Sequence, residues 1–507
     1  MRVRASIVIL VSGWCACTAP KSDDRLHGSG GTASAFGAGG RSGRGAGATS
    51  GSGAVDGGDA SSDAGDGDVG NGGASGRGSG AVAGFDGAGG SDATGDGAGG
   101  GTGATAGDGS GADDSAPDAG DAGCSAAQCP ASTPVCSTGA CRGIKQISVG
   151  GLHACALFDD GTVRCWGHNA NSQLGLGSAS IDLLSRPGPA VVGLTDVEHV
   201  ASGYEHSCAI TRSGALFCWG NNDYGQLGGA QDGKLPVRVA GLEGEGRVAQ
   251  VECHGDADFL SGFTCARMAS GKVFCWGANV NGQLGNDTFD SGPTPTLVKN
   301  LTDAFQIALG PHSACAIRST GSVVCWGYNG AEAPLGTSST ETNLKVPEPV
   351  LGLSDVHKID GGRHYYCAIA GPDDTVKCWG GNERGQIGLP AGGAVTPPFD
   401  TNVKPADDVH VGWNSTCALQ GGYVECWGDN SLGEFGNGRP GSSPVPNLAA
   451  QLEIPTRSFG FRWTTGCALS ETGLVQCWGE NYYGIIGNGT VGANTATPQF
   501  VDWLQAE

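Results

Sequence analysis

The tripeptide Cys-Trp-Gly occurs seven times, and its spacing constrains the fold more than anything else in the chain. Its tryptophans are Trp166, Trp219, Trp276, Trp326, Trp379, Trp427 and Trp478, separated by 53, 57, 50, 53, 48 and 51 residues. A fixed period near 50 residues marks a propeller or another array of stacked units.

Each of these tryptophans follows a cysteine, and a second cysteine lies nine to eleven residues before that one. The pairs are Cys155/Cys165, Cys208/Cys218, Cys265/Cys275, Cys315/Cys325, Cys367/Cys378, Cys417/Cys426 and Cys467/Cys477. In five pairs a glycine sits six residues after the first cysteine: Gly161, Gly214, Gly271, Gly321 and Gly473. Folded as an antiparallel hairpin with its cysteines opposed, such a segment closes on a three-residue loop like Asp159-Asp160-Gly161. That loop wants its last residue in the left-handed region, where glycine fits best. The exceptions follow the same rule. Cys417 and Cys426 leave a two-residue loop, Gly421-Gly422, suited to a type I′ turn. Cys367 and Cys378 leave Gly371-Pro372-Asp373-Asp374. Opposed residues have Cα atoms about 4.5–5.5 Å apart, within disulfide range. A bridge around a ten-residue loop adds roughly 2–3 kcal/mol. Zinc would need cysteines at closer spacings, which the repeats lack.

A strand-like run precedes each hairpin, as in Asp196-Val-Glu-His-Val-Ala-Ser-Gly203. Another follows the loop Gly225-Gln-Leu-Gly228, as in Leu235-Pro-Val-Arg-Val-Ala240. Four strands per period make a propeller blade. The residues Gly203…His206, Ala209-Ile210, Gly214, Trp219-Gly220 and Gly225-Gln-Leu-Gly228 resemble the regulator of chromosome condensation repeat. The resemblance runs over residues 143–507 and implies an all-β, seven-bladed β-propeller. Ala333-Pro-Leu-Gly336, Gly433-Glu-Phe-Gly436 and Gly484-Ile-Ile-Gly487 depart from the pattern, and an insertion around Cys253–Gly262 disturbs the third repeat. The chain ends Thr497-Pro-Gln-Phe-Val-Asp502-Trp503, which looks like an outer strand. The expectation is that it completes the first blade and locks the ring.

Ahead of the propeller, Met1-Arg-Val-Arg4 and the apolar run Ala5–Val11 form a signal-peptide pattern over residues 1–16, too short to span a membrane. Trp14-Cys-Ala-Cys17 resembles a bacterial lipoprotein processing site, which implies lipidation of Cys17; the alternative is a plain secretory signal. Residues 17–123 form the lipidated N-terminus and a linker. From residue 21 onward this stretch is mostly Gly, Ala, Ser, Thr and Asp, with fifteen Asp, no Glu and five Lys or Arg. It cannot bury enough apolar surface to fold. As a Gly-rich coil it spans roughly 50–60 Å, a tether holding the folded part away from a membrane. Residues 124–142 form a small knot in which Cys124, Cys129, Cys136 and Cys141 suit two disulfides of open connectivity. Of the 21 cysteines, Cys253 is left over as a buried or free thiol. Such dense pairing places the chain in an oxidising compartment, as an exported protein of the cell envelope, an outer-membrane surface or the medium.

The formal net charge is −22, which repels phosphate backbones and disfavours nucleic acid as a partner. The namesake members of the repeat family act on chromatin and a small GTPase. An exported, acidic chain meets neither, so nucleotide exchange is not expected. No nucleophile elbow, zinc-protease motif or phosphate loop appears. The expectation is therefore no enzyme, no cofactor and no metal. His153, His206, His312 and His364 recur before their hairpins and read as structural hydrogen-bonders.

The positive signal is aromatic placement. In an up-and-down blade, the loop from first to second strand shares a face with the loop from third to fourth. Tyr204, Tyr365, Trp413 and Trp463 fall in or beside the former, with Arg363 and Arg462 near them. Tyr224, Tyr328, Tyr482 and Tyr483 fall in the latter. Tyr and Trp on the loops of a rigid scaffold suggest a recognition surface; the competing reading is that they plug the repeat ends. The first functional expectation is a monomeric, surface-tethered propeller that binds an unidentified protein or envelope glycan and meets the membrane through its lipid alone. The second is a secreted enzyme inhibitor, because some secreted bacterial propellers similar to this family grip a β-lactamase through loop aromatics. A hydrolase would need a one-off polar cluster in the central channel.

Overall fold

A computed structural model describes residues 129–130, 133, 135–137 and 140–503, apart from 230–231, 257–260, 332–334, 450–451 and 454. The expected signal sequence, Cys17, the linker and Cys124 lie outside the described residues, as does the side chain of Cys136. Cys129 and Cys141 are joined, their Cα atoms 5.4 Å apart. Beside them, Val135–Ser137 and Ala140–Arg142 form a two-stranded hairpin. No helix among the described residues is long and apolar enough to cross a membrane.

Seven four-stranded antiparallel sheets follow, each made from one repeat in chain order. Blade 1 consists of Ile144–Val149, His153–Phe158, Val163–Asn169 and Ser180–Leu184. The others run Val197–Arg238, Val248–Leu297, Ala304–Pro349, Val356–Asp400, Asp408–Leu448 and Thr456–Phe500. The first strands of successive blades touch one another, and that of blade 7 touches that of blade 1. They therefore surround a central channel. The fourth strands are free edges, which invite pairing with other chains. Five of them carry proline, from Pro293 in blade 3 to Pro498 in blade 7. A residue with no N–H to donate blunts such an edge.

The cysteine pairs are register partners in their hairpins. The bridges join Cys155 to Cys165, Cys208 to Cys218, Cys265 to Cys275, Cys315 to Cys325, Cys367 to Cys378, Cys417 to Cys426 and Cys467 to Cys477. The spacing differs from the expectation in one respect. Bridged Cα atoms lie 4.0–4.1 Å apart, tighter than opposed strands without a bridge, because the covalent link draws the two backbones together. Burial also sets the cysteines apart from the other expected site residues. Cys165, Cys275 and Cys325, on the third strands of blades 1, 3 and 4, are fully buried and pack in the hydrophobic core between blades. The other bridged hairpin cysteines are buried to the same degree. The bridges are thus core contacts and no part of the exposed loop face. Turn chemistry follows spacing as read from the sequence. Gly161 sits at φ 82°, and Gly421 and Gly422 sit at φ 57° and 87°, the two positive values a type I′ turn needs.

The Cys-Trp-Gly signature is a blade-to-blade lock. All seven tryptophans are fully buried. The indole N–H of Trp219 donates to the carbonyl of Gln173 in the preceding blade at 2.9 Å. Trp276, Trp326, Trp379 and Trp478 reach back to Gln226, Gln283, Leu335 and Glu434 in the same way. The glycine after each tryptophan sits at φ 101–109°. A Cβ there would come within 2.0–2.6 Å of a carbonyl oxygen at the start of the second strand or in the loop before it. Only glycine is admitted. The asparagine two residues further on holds the next loop. Its side-chain oxygen accepts from the backbone N–H of Leu174 in blade 1 and of the equivalent residue in every other blade.

Ring closure differs from the sequence expectation. Thr495–Phe500 pairs with Val475–Gly479 of its own repeat, with Cys477 opposite Gln499. Blade 1 has its own outer strand, Ser180–Leu184. Repeat and blade are thus in phase, and no strand is exchanged. The ring closes through side chains and through a loop contact in which the Gly489 N–H donates to the Ser185 carbonyl at 2.8 Å. Trp166 donates to the carbonyl of Ile485 at 2.7 Å, Arg186 pairs with Asp502 at 2.6 Å, and Trp503 sets its ring edge-on to Phe158 and Trp166.

Candidate functional site: the loop face and the central channel

The loops between first and second strands bring four of the expected residues into one stack. The Arg363 guanidinium of blade 5 lies 4.0 Å from the ring centre of Trp413 in blade 6. Trp413 stacks on Trp463 of blade 7 at 4.1 Å and 27°. Trp463 meets Tyr204 of blade 2 at 4.5 Å. The arc passes over blade 1 because Gly151 has no side chain: a Cβ there would stand 2.2 Å from Tyr204 and 3.0 Å from Trp463. Trp463 itself is held at φ 58°, costly for a bulky residue and a frequent mark of a functional position. Its carbonyl accepts the backbone N–H of Trp413 at 2.6 Å. All four residues stay partly exposed. Each ring both packs on a neighbour and offers surface.

The remaining tyrosines divide. Tyr482 is exposed. Tyr483 is half-buried with its ring 5.0 Å from that of His168 in blade 1. Tyr328 is half-buried near His364, and Tyr224 is half-buried beside Tyr204.

Two residues expected on this face are elsewhere. Tyr365 is fully buried, and its hydroxyl donates to the carbonyl of Ser415 in the next blade at 2.7 Å. It opens the second strand of its blade, where the side chain turns into the blade interface. Arg462 ends a first strand and lines the channel, with Glu252 at 3.7 Å.

The recurring histidines divide in the same way. His153 and His206 begin second strands, are buried, and bond Ser207 at 2.7 Å and Thr264 at 2.9 Å in the following blade. Burial lowers both to about 3, so they are neutral at pH 7. His312 and His364 stand one residue before their strands, and Ser313 and Tyr365 occupy the bonding position instead. His312 lies 3.8 Å from Asp256.

The channel holds a polar cluster that the repeat pattern had hidden. Lys358 pairs with Asp408, while His410 faces Asp360 at 3.4 Å through Nδ1 and Asp408 at 3.5 Å through Nε2. Alternation along Asp408-Val-His410-Val was the available signal, because every second side chain of a first strand faces the channel. Burial opposes charge on His410, but Asp408 and Asp360 outweigh it and raise the imidazole to about 9. Burial also opposes ionisation of Asp408, and His410 with Lys358 reverses the balance and lowers it. Each imidazole nitrogen faces a carboxylate, an arrangement suited to tying blades 5 and 6 together.

A histidine raised in the folded state stabilises it fully below the unfolded value near 6.5, and that contribution is lost as pH rises through about 9. Urea midpoints are therefore expected to fall between pH 7 and 10. A His410→Asn variant is expected to start lower and to show a flatter fall over that interval.

Cys253 is buried in the first strand of blade 3, and burial pushes its thiol pKa up. Its sulfur gathers with His206 and Cys208 within 4.8 Å. Cys208 is already bridged to Cys218, and His206 already bonds Thr264, so the trio does not make a metal site.

The fold defines a class, the seven-bladed β-propeller with one repeat per blade. Regulator of chromosome condensation (RCC1) repeats are present in the chain: models of that repeat match residues 144–173 and 197–226, and also 160–210, 213–257 and 270–317. The structure extends the array beyond these matches, through the rest of blade 4 and blades 5, 6 and 7. The chain is 33% identical over 276 residues to the mouse E3 ubiquitin-protein ligase HERC2, which takes in 52% of this chain and 5% of HERC2. It is 31% identical to the Arabidopsis thaliana ultraviolet-B receptor UVR8, over 48% of this chain and 55% of the receptor. Among solved structures, Prp20p from Saccharomyces cerevisiae matches with a TM-score of 0.60 at 22% identity, covering 68% of this chain and 87% of Prp20p. That likeness is one of fold.

Proposed function

We propose that this chain is an exported, non-enzymatic binding propeller, tethered by a lipid on Cys17 and a long linker, that grips a partner protein with the loop face of its ring. The observation that carries this reading is the Arg363–Trp413–Trp463–Tyr204 arc. Large rings with few rotamers, fixed by one another on a rigid scaffold and left partly exposed, are the usual anchors of a protein interface. Support also comes from a similar propeller seen in two structures. Prp20p is described with its binding to Gsp1p and histones, and yeast RCC1 (Prp20) with bound Kap60. A binding rather than catalytic use fits the channel, where both nitrogens of His410 face carboxylates. The dense disulfides and acidic charge favour an extracellular setting.

The test is an affinity capture from envelope extract with the immobilised mature chain and a Trp413→Ala/Trp463→Ala variant. Truncating one such anchor costs about 2 kcal/mol or more, roughly thirtyfold in affinity. A partner held by the parent and lost by a variant with an unchanged hairpin disulfide pattern is the expected result. Equal retention by both would move the interface away from the arc.

A further inference from the structure

Beside the Tyr204 end of the arc, on the same face, lies a pocket of about 130 Å³ between blades 2 and 3. Tyr204 and Tyr224 line it together with Glu205, Asp223, Asp256 and Gly255, above His206 and Gln226. We propose that this pocket takes the side chain of an arginine from the partner protein, its guanidinium against the tyrosine rings and its N–H groups on the carboxylates. The proposal rests on the protein-binding reading above and names the chemistry of the contact.

The electrostatics are one-sided. No lysine or arginine is among the described lining residues. The two histidines nearby bring no charge at pH 7: burial lowers His206 to about 3, and it lowers His312, next to Asp256, to about 4. Burial and then Asp223 push the Glu205 carboxyl up from its ordinary value, as expected where negative groups crowd together. An incoming cation relieves that repulsion. The net charge of −22 draws basic partners from a distance.

The shape selects an extended organic cation over a metal ion. Calcium needs six or more oxygens converging on one point. Among the described residues, only His206, Cys208 and Cys253 bring three such ligand atoms within 4.8 Å of one another. The three carboxylates of the pocket therefore do not converge. A guanidinium offers five donors spread in a plane and stacks on aromatic faces, which matches separated acceptors between tyrosines. Tyr204 is preset for that role by its contact with Trp463. Asn221 positions the acids, donating to Asp223 at 3.0 Å and to Glu205 at 3.4 Å.

The probe is N-acetyl-arginine amide, with N-acetyl-citrulline amide as the neutral isostere and calcium chloride as the metal arm. Each is titrated into the mature chain and followed by tryptophan and tyrosine fluorescence. Arginine amide is expected to bind in the millimolar range and at least about tenfold more tightly than citrulline amide, the ratio expected for one charge-assisted contact. The Glu205→Gln/Asp223→Asn variant is expected to lose that preference, while Tyr423→Ala, at an exposed position that opens the third strand of blade 6 outside both the pocket and the arc, keeps it. Equal binding of both amides overturns the proposal, as does binding of calcium alone or a preference that survives in the double variant. No arginine binding up to about 100 mM, a concentration that still populates contacts worth only 1–2 kcal/mol, overturns it as well. An arginine preference without any captured protein would leave the pocket standing and remove the protein-binding reading, so the two failures are distinguishable.

Discussion

Full reduction of the chain is expected to abolish refolding of the propeller. Each hairpin disulfide closes a loop of nine to eleven residues, and a bridge of that size limits the unfolded chain by about 2.7 kcal/mol. Seven of them together approach 19 kcal/mol, whereas a typical domain is stable by only about 5–15 kcal/mol. Even if half of the entropic term is realised, the reduced ring falls to the edge of stability. The bridged sulfurs are buried, with every hairpin cysteine at 0% exposure. A reductant therefore has to wait for a blade to open. Dithiothreitol alone is expected to act slowly on the native ring, and dithiothreitol in urea to act at once. Urea unfolding followed by circular dichroism, with and without prior reduction, checks this. A reduced chain with an unchanged midpoint would mean that blade packing alone holds the ring.

Removing Trp166 is expected to cost more than removing any other single contact at the seam. Trp166 fills the interface between the first and last blades and donates to a carbonyl 319 residues away. Truncating a buried tryptophan to alanine costs about 3–5 kcal/mol through lost transfer energy and the cavity left behind. At the seam no strand is shared that could compensate. Trp166→Phe separates the bond from the bulk. It removes the donor and leaves the Ile485 carbonyl without it, worth about 1–3 kcal/mol. Trp427 provides the control, because its indole nitrogen is buried without a hydrogen-bond partner among the described residues. Trp427→Phe is expected to cost about 1 kcal/mol less than Trp166→Phe. Equal losses at both positions would show that ring volume, and not the bond, closes the propeller. Chemical denaturation midpoints of the two variants give the comparison.

What the sequence determined by itself was everything settled by short-range geometry. A hairpin of nine to eleven residues has few ways to keep its cysteines opposed, so spacing alone picks out Gly161, Gly421-Gly422 and the Gly371–Asp374 loop as turns. Repetition of that unit sets the blade, and its seven copies set their number. The sequence also placed Trp413, Trp463 and Tyr204 on loops of one face, since chain direction in an up-and-down blade decides which loops share an end.

The tertiary structure alone decided where side chains point and which distant ones meet. A shift of one residue separates a loop from a strand start, and it moves Tyr365 from the surface into the blade interface. The same shift parts His312 from His153 and His206, because side chains of a strand alternate between faces. Arg462 belongs to the channel for the same reason. The seam from Trp166 to Ile485, the channel contacts of Lys358, Asp360, Asp408 and His410, and the pocket of Glu205, Asp223 and Asp256 join groups from different blades. Nothing local encodes those meetings. They exist because seven sheets close into a ring, and ring closure is a property of packing between blades that no single repeat contains.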